Sequence, residues 1–444
     1  MFFKRKIYDV LLQWKAKQAG EYSILLEGAR RVGKSTVAEA FAKNEYAACI
    51  IIDFAHVSDA VLACFHDIHD LDLFFLRLQA VTGTELVQGD SVIVFDEIQL
   101  FPKARQAIKY LVRDGRYHYI ETGSLISIKK NVADILIPSE ELKVKMHAMD
   151  FEEFCWATDS SMYNLSKQVF AAGKAVGQAL NRQWMRDYRI YMAVGGMPQA
   201  VMAFLEGKSF VEIDKVKRAI VELYLDDFRK IDPSGRVSQL YRSIPAQLAK
   251  DQKRFLISAA AGRKRTKDDE RLFELVDSRT VLISHNATDP SISLSATKSL
   301  DSYKLYVADT GLFITLMFYE RPNVVNDIYT KLLSDKLPAN LGYLYENAVA
   351  QTIASAGFEL YYHTWEKKGS THYYEIDFLI PKGTKIMAIE VKSSGLGKFE
   401  SIRNVIAKYA KTISRAYLLS QKDRAAANGI TFLPVYMLPF ILND

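Results

Sequence analysis

Residues 28 to 35 read Gly-Ala-Arg-Arg-Val-Gly-Lys-Ser, the spacing G-x-x-x-x-G-K-[ST]. Such a run does phosphate chemistry. Gly28 and Gly33 let the backbone turn so that its N–H groups, with those of Ala29, Arg30, Arg31 and Val32, wrap phosphate oxygens. Lys34 reaches the β- and γ-phosphates, the Ser35 hydroxyl ligates Mg²⁺, and Thr36 packs or hydrogen-bonds nearby. A helix opening at Ser35 adds the positive end of its dipole. The other half of such a site is an acidic strand end. Residues 91 to 97 read Ser-Val-Ile-Val-Phe-Asp-Glu, an apolar run closed by two carboxylates. Asp96 would hold Mg²⁺ through water, and Glu97 would polarise the attacking water as general base. An Asp-Glu pair also caps helices, which is the competing reading. Residues 121 to 124, Glu-Thr-Gly-Ser, end another run, where Thr122 and Ser124 either sense the γ-phosphate or shape a turn. Arg30 and Arg31 inside the loop could touch phosphate or a neighbouring subunit, and Arg113 and Arg116 are candidate arginine fingers. The chemistry expected is hydrolysis of ATP with Mg²⁺.

A second constellation lies near the C-terminus. Asp377 falls in the apolar run 373–380, and Glu390-Val391-Lys392 falls in the run 386–391. Side chains alternate along a strand, so Glu390 and Lys392 share a face, and pairing of the two strands would bring Asp377 to Glu390. Two carboxylates and an ammonium suit metal-assisted phosphodiester cleavage. Asp377 and Glu390 would hold the metal, Lys392 would handle water or phosphate charge, and Glu346 could add a carboxylate. This D-x₁₂-E-x-K spacing resembles the PD-(D/E)XK nucleases. The alternative is a retained fold in which Lys392 pairs with Glu390 or Asp377 and nothing is cut.

A third candidate is the stretch 250–271. It holds Lys250, Lys253, Arg254, Arg263, Lys264, Arg265, Lys267 and Arg271 against Asp251, Asp268, Asp269 and Glu270. Thr266 to Asp269 resembles a capping box. A basic turn before a capped helix is what a helix-turn-helix shows to a DNA backbone, and equally a solvated face.

These residues need elements to position them. Apolar runs at 22–27, 48–53, 91–95 and 117–122, and a run of alternating polarity at 141–149, are interleaved with helical patterns such as 35–43 and 103–113, which predicts a parallel α/β sheet. From 151 to about 235 the pattern is helical. Between 236 and 300, short helices precede two alternating runs, the order of a winged helix. From 301 to 444 strands and a helix at 341–356 mix again. The expected division is therefore 1–150, 151–235, 236–300 and 301–444.

The chain has 444 residues, 49% hydrophobic and 25% charged, which excludes disorder, collagen and a disulfide scaffold. Cys49, Cys64 and Cys155 show neither disulfide nor metal spacing, so a reducing compartment is expected. No apolar run reaches membrane-spanning length and no signal core follows the first residues, so a cytoplasmic protein with no membrane partner is expected. The net charge of +6 leans only weakly toward an anionic partner.

The motifs resemble those of a family of bacterial and archaeal AAA-type ATPases with a C-terminal domain of unknown function. Its loop form is Gly-Ala-Arg-Gln-Val-Gly-Lys-Thr, from which Arg31 and Ser35 depart. Asp96-Glu97-Ile98-Gln99, Thr122-Gly123-Ser124, Gly195-Gly196-Met197-Pro198, Ala308-Asp309-Thr310-Gly311-Leu312, Gly342 to Asn347 and Ile389-Glu390-Val391-Lys392 also match. The resemblance implies an ASCE-type P-loop core, a helical and winged-helix middle, and a restriction-endonuclease-like α/β C-terminal domain. A nucleotide-dependent homo-oligomer would fit such a core. Three functions stay open: an ATPase controlling its C-terminal half, an ATP-regulated nuclease, and a nucleotide-gated DNA-binding switch.

Overall fold

The computed structural model describes residues 2–124, 136–250, 254–263, 266–321, 325–334, 342–367, 369–370, 372–393 and 399–443. The chain forms two compact units. One is Met1–His147 with Asp277–Arg279, and the other is Ala148–Val276 with Thr280–Asp444.

The first unit is built on five strands: β1 (Ser23–Glu27), β2 (Ala48–Asp53), β3 (Ser91–Asp96), β4 (His118–Gly123) and β5 (Glu141–Lys145). They lie in the order β2-β3-β4-β1-β5, and every pairing is parallel. Helices cover both faces, which is why β1 and β3 read as continuous apolar runs rather than as alternation. Leu25, Ile50, Ile52, Ile93, Phe95 and Tyr119 pack with Phe74, Phe75 and Leu78 of the helix Leu71–Thr82 and with Ile108 and Leu111 of the helix Pro102–Asp114. The helix Lys34–Glu45 buries Val37, Ala38 and Phe41 and contacts β2, β3 and β4. Edge strand β5 alternates in burial and turns Glu141 inward. There Arg105 grips it with two bonds, Nε to Oε2 at 2.9 Å and Nη2 to Oε1 at 2.8 Å. Because all five strands run the same way, the tips Glu27, Asp53, Asp96 and Gly123 meet at one edge, where α/β sheets place ligands.

The second unit joins helices to one mixed sheet of eight strands: β6 (Val281–Ala287), β7 (Lys298–Val307), β8 (Leu360–Glu366), β9 (Tyr373–Lys382), β10 (Lys385–Val391), β11 (Ile413–Ser420), β12 (Ala425–Ala427) and β13 (Ile430–Pro434). Their order is β12-β13-β11-β10-β9-β8-β6-β7. The helices expected at 236–300 are present: Arg236–Ala249, Ile257–Ala261 and Asp268–Asp277 precede the antiparallel β6 and β7. The first expected run is β6, but the second, at 291–295, falls in turns, and β7 begins only at Lys298. The hairpin does not stand alone, since β6 pairs in parallel with β8, and residue 300 falls inside β7.

The helical segment is likewise stitched to the C-terminal part. Asp423 accepts the backbone N–H groups of Val176 and Gly177, at 2.9 and 2.6 Å. Tyr436 donates to Asn181 at 2.7 Å, and Arg189 donates to the Gln421 side chain at 2.7 Å. The Gly195-Gly196 and Asp309-Thr310-Gly311 motifs meet here. Asp309 accepts the N–H groups of Gly196, at 2.6 Å, and Leu312, at 2.8 Å. A Cβ on Gly196 would collide with the Met149 carbonyl oxygen, and one on Gly311 with the Val194 carbonyl. These glycines therefore serve close backbone crossing.

Candidate functional site

The loop after β1 is shaped by its glycines and one strained residue. A Cβ at Gly28 would strike the Met146 carbonyl oxygen, and Gly33 sits at φ 98° at the helix N-cap. Arg31 holds φ 70°, a left-handed conformation that L-residues avoid. Lys34 lies buried along the loop and donates to the carbonyls of Gly28 (3.1 Å) and Ala29 (3.0 Å). Burial pushes its pKa down to about 8, against the upward pull of Glu97 and Asp96. Ser35 and Thr36 are exposed at the start of the helix, and Arg30 is half-buried.

Two predicted residues from separate segments converge on one oxygen of a third, Asp96. The Ser35 hydroxyl donates to Asp96 Oδ1 at 2.7 Å, and the buried Thr122 hydroxyl donates to the same atom. Thr122 is thus turned toward Asp96 from the adjacent strand. Half-buried Ser124 lies just past the end of β4. Glu97 follows Asp96 at φ 52°, accepts a bond from the Gln99 amide, and donates its backbone N–H to Thr122 Oγ1 at 3.4 Å. Such strain at a strand tip is characteristic of functional residues. Hydroxyl and carboxylate oxygens are the donors Mg²⁺ prefers, and Ser35 and Asp96 fit it.

Some contributors carried no usable signal. Arg5 is buried and donates to the carbonyls of Val32 (2.8 Å) and His147 (2.7 Å), so an N-terminal arm pins the phosphate loop. Asp53 pairs in register beside Asp96. It ends an apolar run as Asp96 does, and that shared pattern could have flagged it. Arg113 and Arg116 flank the N-terminal end of β4, the opposite edge of the parallel sheet from the loop. A six-residue strand spans about 20 Å, so neither reaches its own chain's phosphate loop. Arg113 donates to Glu140 at 3.1 Å, while Arg116 is held by Asp114 and Asp72.

In the second unit β9 and β10 do pair, antiparallel, with Ile389 opposite Phe378. Asp377 and Glu390 are nevertheless turned to separate tasks. Asp377 Oδ2 accepts the Val391 N–H at 2.7 Å. Buried Glu390 accepts the Ile402 N–H at 3.0 Å, at the start of the helix Glu400–Lys408, and pairs with Lys392 at 2.7 Å. Glu346, on the helix Gly342–Ser355, accepts from Lys304 at 3.1 Å and from Tyr306 at 2.5 Å. Lys304 also donates to Glu375 at 2.5 Å. Burial opposes the Lys304 charge, but Glu346 and Glu375 outweigh it and hold its pKa well above the usual value. Burial, then Glu346, pushes the Asp377 carboxyl well above the carboxylate range, with Lys304 opposing. Lys304, Tyr306 and Glu375 were not legible as members.

Of the basic stretch, Asp251, Lys253, Lys264 and Arg265 lie outside the described residues. Lys250, Arg254, Arg263 and Lys267 are exposed. Arg271 pairs with Asp268 at 3.0 Å and Asp232 at 3.3 Å, and buried Asp268 also holds Arg236 at 2.6 Å. Among the described residues, no helix is long and apolar enough to cross a membrane.

Comparison with known proteins gives three family matches, none covering half of the chain. Residues 21–155 match an AAA domain, residues 185–322 a domain of unknown function (DUF8612), and residues 341–438 a domain of unknown function (DUF4143). No curated protein matches. Solved structures with some likeness include a Signal Transduction ATPase with Numerous Domains from Pyrococcus horikoshii, with 10% identity and TM-score 0.28, covering 80% of this chain. The present chain spans only 55% of that protein's length. Another is Cdc6p from Pyrobaculum aerophilum, with 11% identity and TM-score 0.25, covering 75% of this chain and 93% of its own. At such scores neither carries an argument. The parallel sheet and the phosphate loop agree with the family match: residues 21–155 match an AAA domain and carry the parallel α/β core of a P-loop fold.

Proposed function

We propose that this protein binds MgATP in the first unit and hydrolyses it, and that the nucleotide cycle controls its C-terminal half. The observation that supports this best is the convergence of Ser35 and Thr122 on Asp96 beside the Lys34 loop. In this reading residues 28 to 36 cradle the phosphates through backbone N–H groups, and Lys34 neutralises the β- and γ-phosphates. Ser35 and Asp96 hold Mg²⁺, which supplies charge neutralisation on the phosphates. Glu97 orients and polarises the water, and Thr122 and Ser124 respond to the γ-phosphate. Arg113 or Arg116, remote from their own loop, would act only on a neighbouring copy in a nucleotide-dependent homo-oligomer.

The test is steady-state ATP turnover. Lys34→Ala should abolish it, and wild-type turnover in that variant would overturn the assignment. Glu97→Gln should keep nucleotide binding while losing roughly 10²–10⁴-fold in turnover.

A second reading rests on exposed Lys250, Arg254, Arg263 and Lys267. They would meet a DNA backbone, with the winged-helix-like and nuclease-like parts as a nucleotide-gated binding half. Affinity should then fall steeply with salt and differ between ATP and ADP. Equal affinity with both nucleotides would exclude the switch.

A further inference from the structure

The nuclease resemblance implies a divalent metal between Asp377 and Glu390, with Glu346 in support. With Lys304 in place the donor set does not fit one. Metal coordination needs carboxylate oxygens turned toward a shared point, within about 2.0–2.6 Å of the ion for Mg²⁺ or Ca²⁺. Here Asp377 is bonded to the Val391 N–H, and Glu390 to Ile402 N–H and Lys392. Among the described residues, no group of three or more His, Cys, Asp or Glu side chains is arranged to hold a metal ion.

The cluster already contains a cation. Lys304 projects from β7 with its side chain 5% exposed, and its ammonium contacts both Glu346 and Glu375. Glu375 and Asp377 lie two apart on β9 and so share a face. Tyr306, two residues beyond Lys304, donates to the same Glu346 oxygen that the ammonium uses. Glu346, Glu375 and Asp377 are half-buried, and carboxylates so close together repel one another; a buried lysine fixed in a strand supplies the offsetting positive charge permanently.

We propose that Lys304 takes the place of the metal: it is the resident counter-cation of the Glu346, Glu375 and Asp377 cluster, and it keeps divalent ions out. The C-terminal half then works as a metal-independent module and does not cut phosphodiesters by metal-assisted hydrolysis.

The test uses the full chain without nucleotide, in an Asp96→Asn background so that the phosphate-loop site contributes nothing. Mn²⁺ binding is followed by electron paramagnetic resonance and by thermal melting. Wild-type Lys304 should give no bound Mn²⁺ at the cluster and no melting shift that depends on Asp377. Lys304→Met should gain a bound Mn²⁺, lost again on adding Asp377→Asn. A folded Lys304→Met variant that gains no Mn²⁺ would overturn the proposal.

Should Lys304→Met fail to fold, the comparison of Lys304-containing protein with and without Asp377→Asn still decides. Indistinguishable Mn²⁺ binding supports the proposal, and binding abolished by Asp377→Asn overturns it. Cleavage of plasmid, single-stranded DNA or RNA with Mg²⁺ or Mn²⁺, lost in Asp377→Ala, would overturn it as well. None of these outcomes bears on ATP hydrolysis, so the two readings fail separately.

Discussion

Lys34 carries the sharpest consequence at the scale of single residues. Burial brings its pKa down to about 8 in the nucleotide-free protein. The folded group therefore binds fewer protons than the unfolded one between about pH 8 and its ordinary value of 10.5. Its contribution to stability rises with pH across that window, and is lost as pH falls through about 8. Nucleotide binding runs the other way, because phosphate needs the ammonium. Affinity for an ATP analogue should be level near pH 7 and weaken about tenfold per unit above roughly pH 8, as linkage to one proton requires. Titration calorimetry across this range checks it, with Lys34→Arg expected to be flat. A wild-type profile that stays level to about pH 9.5 would show that burial does not control this group. The loop was readable because its residues are contiguous and phosphate binding is backbone geometry. Arg5 was not, because its partner Val32 is met only after folding.

At the scale of elements, the strand tips were legible and their neighbours were not. Apolar runs ending in polar residues mark buried parallel strands, so the expected runs and the observed β1 to β4 differ by a residue or so at their ends. Strand order depends on contacts remote in sequence, and it alone sets Asp53 beside Asp96. The motifs Gly195-Gly196 and Asp309-Thr310-Gly311 are elements of packing. Gly196→Ala and Gly311→Ala drive a methyl into a backbone carbonyl, and overpacking of this kind costs roughly 1–3 kcal/mol or more. Gly20→Ala meets nothing within 4 Å and is the neutral control. Urea unfolding monitored by circular dichroism should show the midpoint dropping for the first two variants only.

Across the whole molecule, the second unit is more continuous than the expected boundaries. Asn181, Arg189 and the Val176-Gly177 backbone all bond to residues 421 to 436. A fragment beginning at residue 236 loses those partners and leaves the buried Tyr436 hydroxyl without its acceptor, at a cost of about 1–3 kcal/mol for that unmet group. That fragment should lack dispersed amide resonances, whereas one spanning 148–444 should show them. A well-folded 236–444 fragment would restore the boundary at 235. Control of this unit by nucleotide has its own measurement. Hydrogen exchange in ATP and in ADP should differ within 148–276 and 280–444, and identical protection would remove the coupling from the proposal.

By itself the sequence determined the phosphate loop, the acidic strand end and the parallel α/β character of the first unit. Each depends on neighbours along the chain: a backbone turn, an apolar run, a helix start. It also showed that Asp377 and Glu390 could meet, since alternation and hairpin pairing are local rules. Only the tertiary structure decided what that meeting amounts to. Lys304 reaches Glu346 across 42 positions and Glu375 across 71. Carboxylates and an ammonium so far apart in sequence have no periodicity that could announce them. Their charge balance exists only where the folded strands and helix bring them into a shared, poorly solvated space.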